Sequence, residues 1–348
     1  PWLTVENARL RWSFGSLLSG RLRVEELSAE RVAVLRPPLP DQQKPSDEGG
    51  DGPLRLPVGI ELEALSIGDL HLAAALAHVD SHWRLAGNAL LPADLAQGRL
   101  VLNGERLDGP AGRLTADVRF DAERRTVDGE VSLTEGQGGA VAVLLERPDI
   151  ADLSMRLVAR GDAAAGNAEL TVAAADAARA NGKVTWQPRD GATAVSVQLD
   201  TAGPGLPKGN LADAVREPMS LTAQATIDDK VATLSEARLV AGPHAIEMSA
   251  RYDRSADRVE GTARLRSAET AALGPLVGGV AWRGLDVEAK VDLAALANRP
   301  QGTIAVTGRA DDLSLAAVDS RLPPPGAVTL AGTITVSEVI VNFPSLTV

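Results

Sequence analysis

The sequence contains no cysteine. A disulfide framework, a thiolate metal site and a cysteine nucleophile are therefore excluded. Aromatic residues are scarce: five Trp, one Tyr and three Phe in 348 residues. That scarcity counts against a glycan-active enzyme, which needs sugar-stacking platforms. Cations are the minority, with 35 Lys and Arg against 46 Asp and Glu and a net charge of −11. A nucleic-acid surface, which requires clustered Lys and Arg, is not expected. No run of eighteen apolar residues occurs, so no transmembrane helix is expected. The longest apolar-leaning stretch, Leu70 to Val79, is broken by His71 and His78. The Gly-x-Ser-x-Gly elbow of hydrolases is absent. Gly203-Pro-Gly-Leu-Pro-Lys-Gly209 has the wrong spacing for a phosphate loop, and its two prolines cannot donate from the backbone. The chain opens on Pro1-Trp2 rather than Met, and we read it as part of a longer protein whose anchor or export signal lies elsewhere.

What is present is alternation. The hydrophobic fraction of 45% is ordinary for a folded chain, but its period is two rather than 3.6. Leu114, Ala116, Val118 and Phe120 alternate with Thr115, Asp117 and Arg119. Leu153, Met155 and Leu157 alternate with Ser154 and Arg156. Leu285, Val287, Ala289, Val291 and Leu293 alternate with Asp286, Glu288, Lys290 and Asp292. Val131 and Leu133, Leu170 and Val172, and Val184 and Trp186 stand in the same kind of pattern, as does Leu221. So do Ile304 and Val306, Leu313 and Leu315, and Ile334 and Val336. These residues are the expected inward-facing set. Asn103-Gly104, Asp108-Gly109, Asp128-Gly129, Asn181-Gly182 and Asp190-Gly191 are read as turns. Helix signals are short: Asn210 before Leu211 to Glu217, and Ser267 before Ala268 to Leu273. At about twelve residues per strand and turn, roughly 25 strands are expected.

Three regions are expected. Residues 1–36 form a first strand segment. Residues 37–59 form a Pro- and Gly-rich connector, in which Asp41 to Pro53 holds no apolar residue other than Pro and Gly and is expected to be dispensable. Residues 60–348 form one repetitive β body. Within it, Phe120 to Leu133 matches Tyr252 to Leu265 at an offset of 132, pointing to a long-period repeat or to two similar hairpins.

His78-Val-Asp80-Ser-His82, with His71 upstream, is the one metal-like cluster. A tip at Asp80-Ser81 would put its histidines on flanking strands, and they are read as exposed turn residues, with no metal expected. Asp228-Asp229-Lys230 and Asp311-Asp312 are read as solvated acidic pairs. Trp83, Trp186 and Trp282 are read as packing residues.

Periodicity alone leaves a sandwich, a solenoid or an open trough. A resemblance narrows this choice. Leu3-Thr-Val-Glu-Asn-Ala-Arg-Leu-Arg-Trp12, Ser16-Leu-Leu-Ser-Gly-Arg-Leu-Arg-Val24 and Ala29-Glu-Arg-Val-Ala-Val-Leu-Arg-Pro-Pro38 resemble the opening of the AsmA-like superfamily, its TamB-type members in particular. Ala271 to Val280, followed by Trp282-Arg-Gly-Leu-Asp-Val287, resembles the link between that family's repeats. The resemblance implies an all-β fold: a long antiparallel sheet curled into an elongated open trough (a β-taco), with an apolar interior and a few short helices. It implies a periplasmic segment of a protein anchored in the inner membrane by a helix outside this chain. It further implies non-enzymatic, bridge-like phospholipid transport between inner and outer membranes, with no cofactor but with phospholipid or fatty acyl chains bound. An outer-membrane barrel partner of the TamA or BAM type is implied too, contacted by parts of the parent protein absent here. A scaffold for outer-membrane protein or autotransporter assembly is the second reading, and a secreted β-sandwich or β-helix glycan enzyme the third.

Overall fold

The computed structural model describes residues 2–13, 15, 21–36, 59–77, 79–92, 97–121, 124–144, 150–175, 178–203, 218–270, 281–295, 300–314, 326–337 and 340–347. The chain divides into two compact units, Pro1–Ala177 and Ala178–Val348.

The first unit holds ten strands: β1 (Leu3–Glu6), β2 (Arg9–Ser13), β3 (Arg21–Val34), β4 (Gly59–Leu72), β5 (Ser81–Leu91), β6 (Gln97–Arg106), β7 (Gly112–Asp121), β8 (Thr126–Glu135), β9 (Leu153–Gly161) and β10 (Gly166–Ala174). Two short helices, α1 (Ala74–Ala77) and α2 (Ala140–Leu144), interrupt them. β1 and β2 both pair with β3, at its two halves. From β4 to β10 every strand pairs antiparallel with the next. The second unit is an antiparallel meander of ten: β11 (Ala178–Arg189), β12 (Ala192–Ala202), β13 (Met219–Ile227), β14 (Val231–Ala241), β15 (His244–Asp253), β16 (Arg258–Glu269), β17 (Arg283–Ala294), β18 (Gln301–Leu313), β19 (Gly326–Ser337) and β20 (Ile340–Thr347). The expected all-β, open sheet is what each unit forms, and no strand pairing among the described residues closes either into a barrel. The strands run longer than the periodicity suggests, up to 14 residues, and the described residues form twenty of them.

One pairing departs from the antiparallel expectation. β3 and β4 are parallel, with Arg21 beside Gly59 and Val34 beside Leu72. Both follow a two-three rhythm: Leu22, Val24, Leu27, Ala29, Val32 and Val34 against Ile60, Leu62, Leu65, Ile67, Leu70 and Leu72. β5 alternates strictly, so β4 slips register against it between Leu62 and Leu65 and again between Ile67 and Leu70. Each slip is a bulge that returns the apolar side chains to one face. Residues 1–36 are thus knitted into the first unit through β3.

Three of the five Asx-Gly pairs are not turns. Asn103-Gly104, Asp128-Gly129 and Asn181-Gly182 lie inside β6, β8 and β11. The polar residue takes the solvent face and the glycine continues the alternation on the other. There a side chain would fit tightly: a Cβ on Gly129 would stand 3.2 Å from Val118, and one on Gly104 3.1 Å from Leu85, so each neighbour would have to give by a few tenths of an ångström. Asp190-Gly191 is a turn, with φ of 51° and 82°, and Gly109 turns with φ of 60°; both values suit tight reversals. The helix expected after Ser267 does not start there, because β16 continues to Glu269, which pairs with Arg283. The expected helix at 211–217 and the loop from Pro204 to Gly209 lie outside the described residues.

The 132-residue echo falls on equivalent hairpins, β7–β8 in one unit and β15–β16 in the other. Asp121 corresponds to Asp253, Thr126 to Arg258, and Leu153 of β9 to Leu285 of β17.

Candidate functional site

Register partners across a sheet share a face, so the pairings show which side chains stand together. In the first unit, Leu114, Val118 and Phe120 of β7 lie opposite Leu133, Gly129 and Val127 of β8. Val131 and Leu133 continue to Leu157 and Met155 of β9, and these to Leu170 and Val172 of β10. Leu153, at the end of the same face, pairs with Glu135 and Ala174.

The second unit repeats this. Val184 and Trp186 pair with Val197 and Val195, and Leu221 joins Leu199 to Leu239. Leu285, Val287 and Val291 pair with Ala310, Gly308 and Ile304, and Val306 with Ala289. Ile304 and Val336 pair with Ile334 and Gly302. Leu313 stays on this face through the register shift after Ala310 and pairs with Gly326. Within each unit, all the expected inward-facing residues that are described share one face. Leu315 lies outside the described residues.

Among the described residues no second layer covers this face. Only ten apolar residues are buried among those described, and five of them are alanines. On the apolar face Leu100, Leu157 and Met248 remain 43%, 41% and 40% exposed. At about 4.8 Å between strands, the apolar face of the second unit alone presents on the order of 1,000 Å². Soluble monomers seldom leave patches above ~600 Å². Its surface is contoured. Ala223, Ala237, Met248, Ala263 and Ala289 follow one another across five strands as a lane of mostly small side chains. Beside it runs a ridge of Leu221, Leu239, Ile246, Leu265 and Val287.

The opposite face is a ladder of ions. Arg156 holds Glu130 at 2.8 and 3.0 Å, and Arg258 holds Asp292 at 2.8 and 2.6 Å. Arg264 grips Asp286 at 2.7 and 2.5 Å. These guanidinium donors keep the three carboxyls below the usual carboxylate range. Such exposed pairs contribute little stability. What they add is register, since a slip of one residue would turn the ions onto the apolar face.

Comparison of the chain with protein-family models, with curated proteins and with solved structures finds no match. The site therefore has to be read from its own chemistry.

One rim of each apolar face carries a buried cluster that strand periodicity does not mark. In the first unit Trp83, Leu153 and Ala174 are buried there, together with Ala142 of α2 and Ile150. Glu135, 3% exposed, accepts the N–H groups of Ala140 and Val141 and so seats α2 at this rim. Arg106, also buried, points Nε at Asp108 at 3.2 Å. In the second unit the equivalent place holds His244, Ser267, Thr270 and Trp282. Trp282, at the offset of 132 from Ile150, donates from Nε1 to Ser267 Oγ at 2.9 Å. Ser267 donates to the carbonyl of Glu269 at 2.8 Å. The remaining contact, His244 Nδ1 to Ser267 Oγ at 2.8 Å, then requires the proton on Nδ1. Nε2 is left as a buried acceptor with no partner among the described residues.

Burial pushes the His244 imidazole below its usual 6.5, against a weaker opposing pull from Glu269. In the unfolded chain this group protonates near pH 6.5, and in the folded unit only at lower pH. Across that interval the unfolded state binds more protons, so stability falls as pH drops below about 6.5. The melting temperature is expected to be lower at pH 5.5 than at 7.5. A His244→Gln variant should show a shallower fall; an unchanged slope would refute the assignment.

Trp83 and Trp282 are packed as expected, at 8% and 7% exposure, while Trp2 and Trp12 are exposed. Trp186 is half-buried on the apolar face. Asp228 forms the expected tip, accepting from the N–H groups of Lys230 and Val231. Asp311 and Asp312 lie instead in β18, at its register shift.

Proposed function

We propose that the chain is a lipid-binding segment in which acyl chains lie on the apolar face of each sheet. The observation that carries this is the continuous, half-exposed apolar face with charge confined to its back and its rim. Acyl chains suit that face better than a soluble polar ligand does, since each buried methylene contributes about 0.8 kcal/mol and needs no polar partner. The alanine lane, crossing strands beside the taller ridge from Leu221 to Val287, has the direction for an extended hydrocarbon chain. Its length across five strands, about 19 Å from first to last, matches most of one fatty acyl tail.

In this reading the protein works by binding and passage rather than catalysis. It serves as a periplasmic part of a bridge-like phospholipid carrier between the two membranes, as the AsmA-like resemblance implies. Contacts with an outer-membrane barrel partner belong to other parts of the parent protein. The test is mass spectrometry of lipid extracts from protein purified without detergent. Phospholipid or fatty acid at one or more molecules per chain is expected, and lipid-free protein that stays monomeric would refute the proposal.

A further inference from the structure

We infer that the polar face of the first unit carries a site for one divalent transition-metal ion, built from His71, His82 and Asp80 with Asp69 behind His82. The spacing of the sequence draws attention to His78 and His82. The register draws it elsewhere: His71 of β4 lies directly opposite His82 of β5. Their rings stack with centroids 4.5 Å apart and planes at 4°.

Asp69 Oδ1 stands 2.7 Å from His82 Nδ1, while its other oxygen faces Arg31 at 3.2 Å. A carboxylate there holds the proton on Nδ1 and leaves the Nε2 lone pair outward, the arrangement that backs metal-binding histidines. Asp80 Oδ1 lies 3.4 Å from His71 Nε2 and is steadied by the N–H of Ala74 at 3.0 Å. At 3.4 Å the His71–Asp80 contact is long for a hydrogen bond. It is close to the ~3.4 Å edge of a tetrahedron whose metal–ligand bonds are about 2.0–2.1 Å.

As they stand the rings are parallel rather than convergent, and no three such side chains among the described residues meet at one point. Convergence takes a swing of the His71 imidazole about χ2, a broad and soft torsion in histidine, while His82 keeps its hydrogen bond to Asp69. The side chains of His71, His82 and Asp80 are 23%, 28% and 68% exposed, so a hydrated ion reaches them. Two imidazoles and one carboxylate select Cu²⁺, Zn²⁺ or Ni²⁺ over Ca²⁺ or Mg²⁺, with water completing the shell.

The experiment titrates the 348-residue chain with ZnCl₂ by calorimetry and with Cu²⁺ by electron paramagnetic resonance. One ion per chain is expected, with two coordinated nitrogens in the copper spectrum. His71→Ala and His82→Ala should each weaken Zn²⁺ binding by about 100-fold or more, and Asp69→Asn by about 10-fold. His78→Ala should leave it unchanged. No binding by the wild-type chain would overturn the inference. So would equal binding by the His71→Ala/His82→Ala double variant, dependence on His78, or a copper spectrum with fewer than two nitrogens. The copper spectrum of the wild-type chain is independent of how the variants fold.

Discussion

Removal of residues 41–53 is expected to separate β4 from β3 and to cost the first unit much of its stability. Parallel pairing places the end of β3 and the start of β4 at opposite ends of the sheet. The 14 residues of β3 span about 43 Å from first to last Cα at 3.3 Å per residue. Residues 35 to 58 must cover that distance. Deletion of 13 of these 24 leaves 11, whose twelve Cα steps reach about 40–43 Å only if fully extended. No slack remains for the two reversals. The segment that composition marks as dispensable is needed for its length alone. A Gly/Ser replacement of equal length should therefore behave as wild type. Amide exchange over β3 and β4 measures this directly: protection should fall in the deletion and persist in the replacement. Protection retained in the deletion would contradict the parallel pairing.

Val287→Asp is expected to leave the second unit folded and to strip it of lipid. Val287 is half-exposed between Leu265 and Gly308, on the ridge beside the alanine lane. In a sealed core a lone carboxylate would cost several kcal/mol. On an uncovered face it can stay hydrated, so the loss is close to the poor strand propensity of Asp, about 1 kcal/mol. On the proposed acyl-chain reading the effect on lipid is far larger, because a hydrated carboxylate interrupts the hydrocarbon path. Co-purified lipid should drop several-fold while circular dichroism stays unchanged. Ala331→Asp, on the exposed polar face next to Thr307, is the matched control and should retain its lipid. Aggregation of Val287→Asp would point to a sealed core; unchanged lipid in a folded Val287→Asp would remove Val287 from the binding face.

The faces were legible in the sequence because strand periodicity records them residue by residue. Leu285, Val287 and Val291 fall together for the same reason that Asp286, Glu288 and Lys290 fall opposite. The parallel pair was not legible. The two-three rhythm of Leu22 to Val34 blurs a period of two, and nothing local distinguishes a crossover from a hairpin. The in-strand glycines misled because Asn-Gly and Asp-Gly have two uses, a positive-φ turn or a polar-out, small-in step, and only the neighbouring strand decides between them. The rim clusters were invisible for a related reason. Glu135, Arg106 and His244 occupy positions where alternation calls for an apolar side chain, and their partners are distant in sequence. His71 and His82 belong with them, since register brings them together and spacing does not.

Among the described residues, from β4 onward in the first unit and throughout the second, each strand pairs only with its neighbours in sequence. Stability in such an array is close to a sum of adjacent-strand terms, as in stacked repeats. Inserting or removing one whole hairpin would leave every other pairing, and the side on which each residue stands, unchanged. Denaturation need not be all-or-none: end strands can fray while central ones hold, giving broad transitions with shallow denaturant slopes. The same locality makes contact order low for an all-β chain, so most of the sheet can assemble by zippering. The crossover from β3 to β4 is left as the one slow loop closure in the first unit.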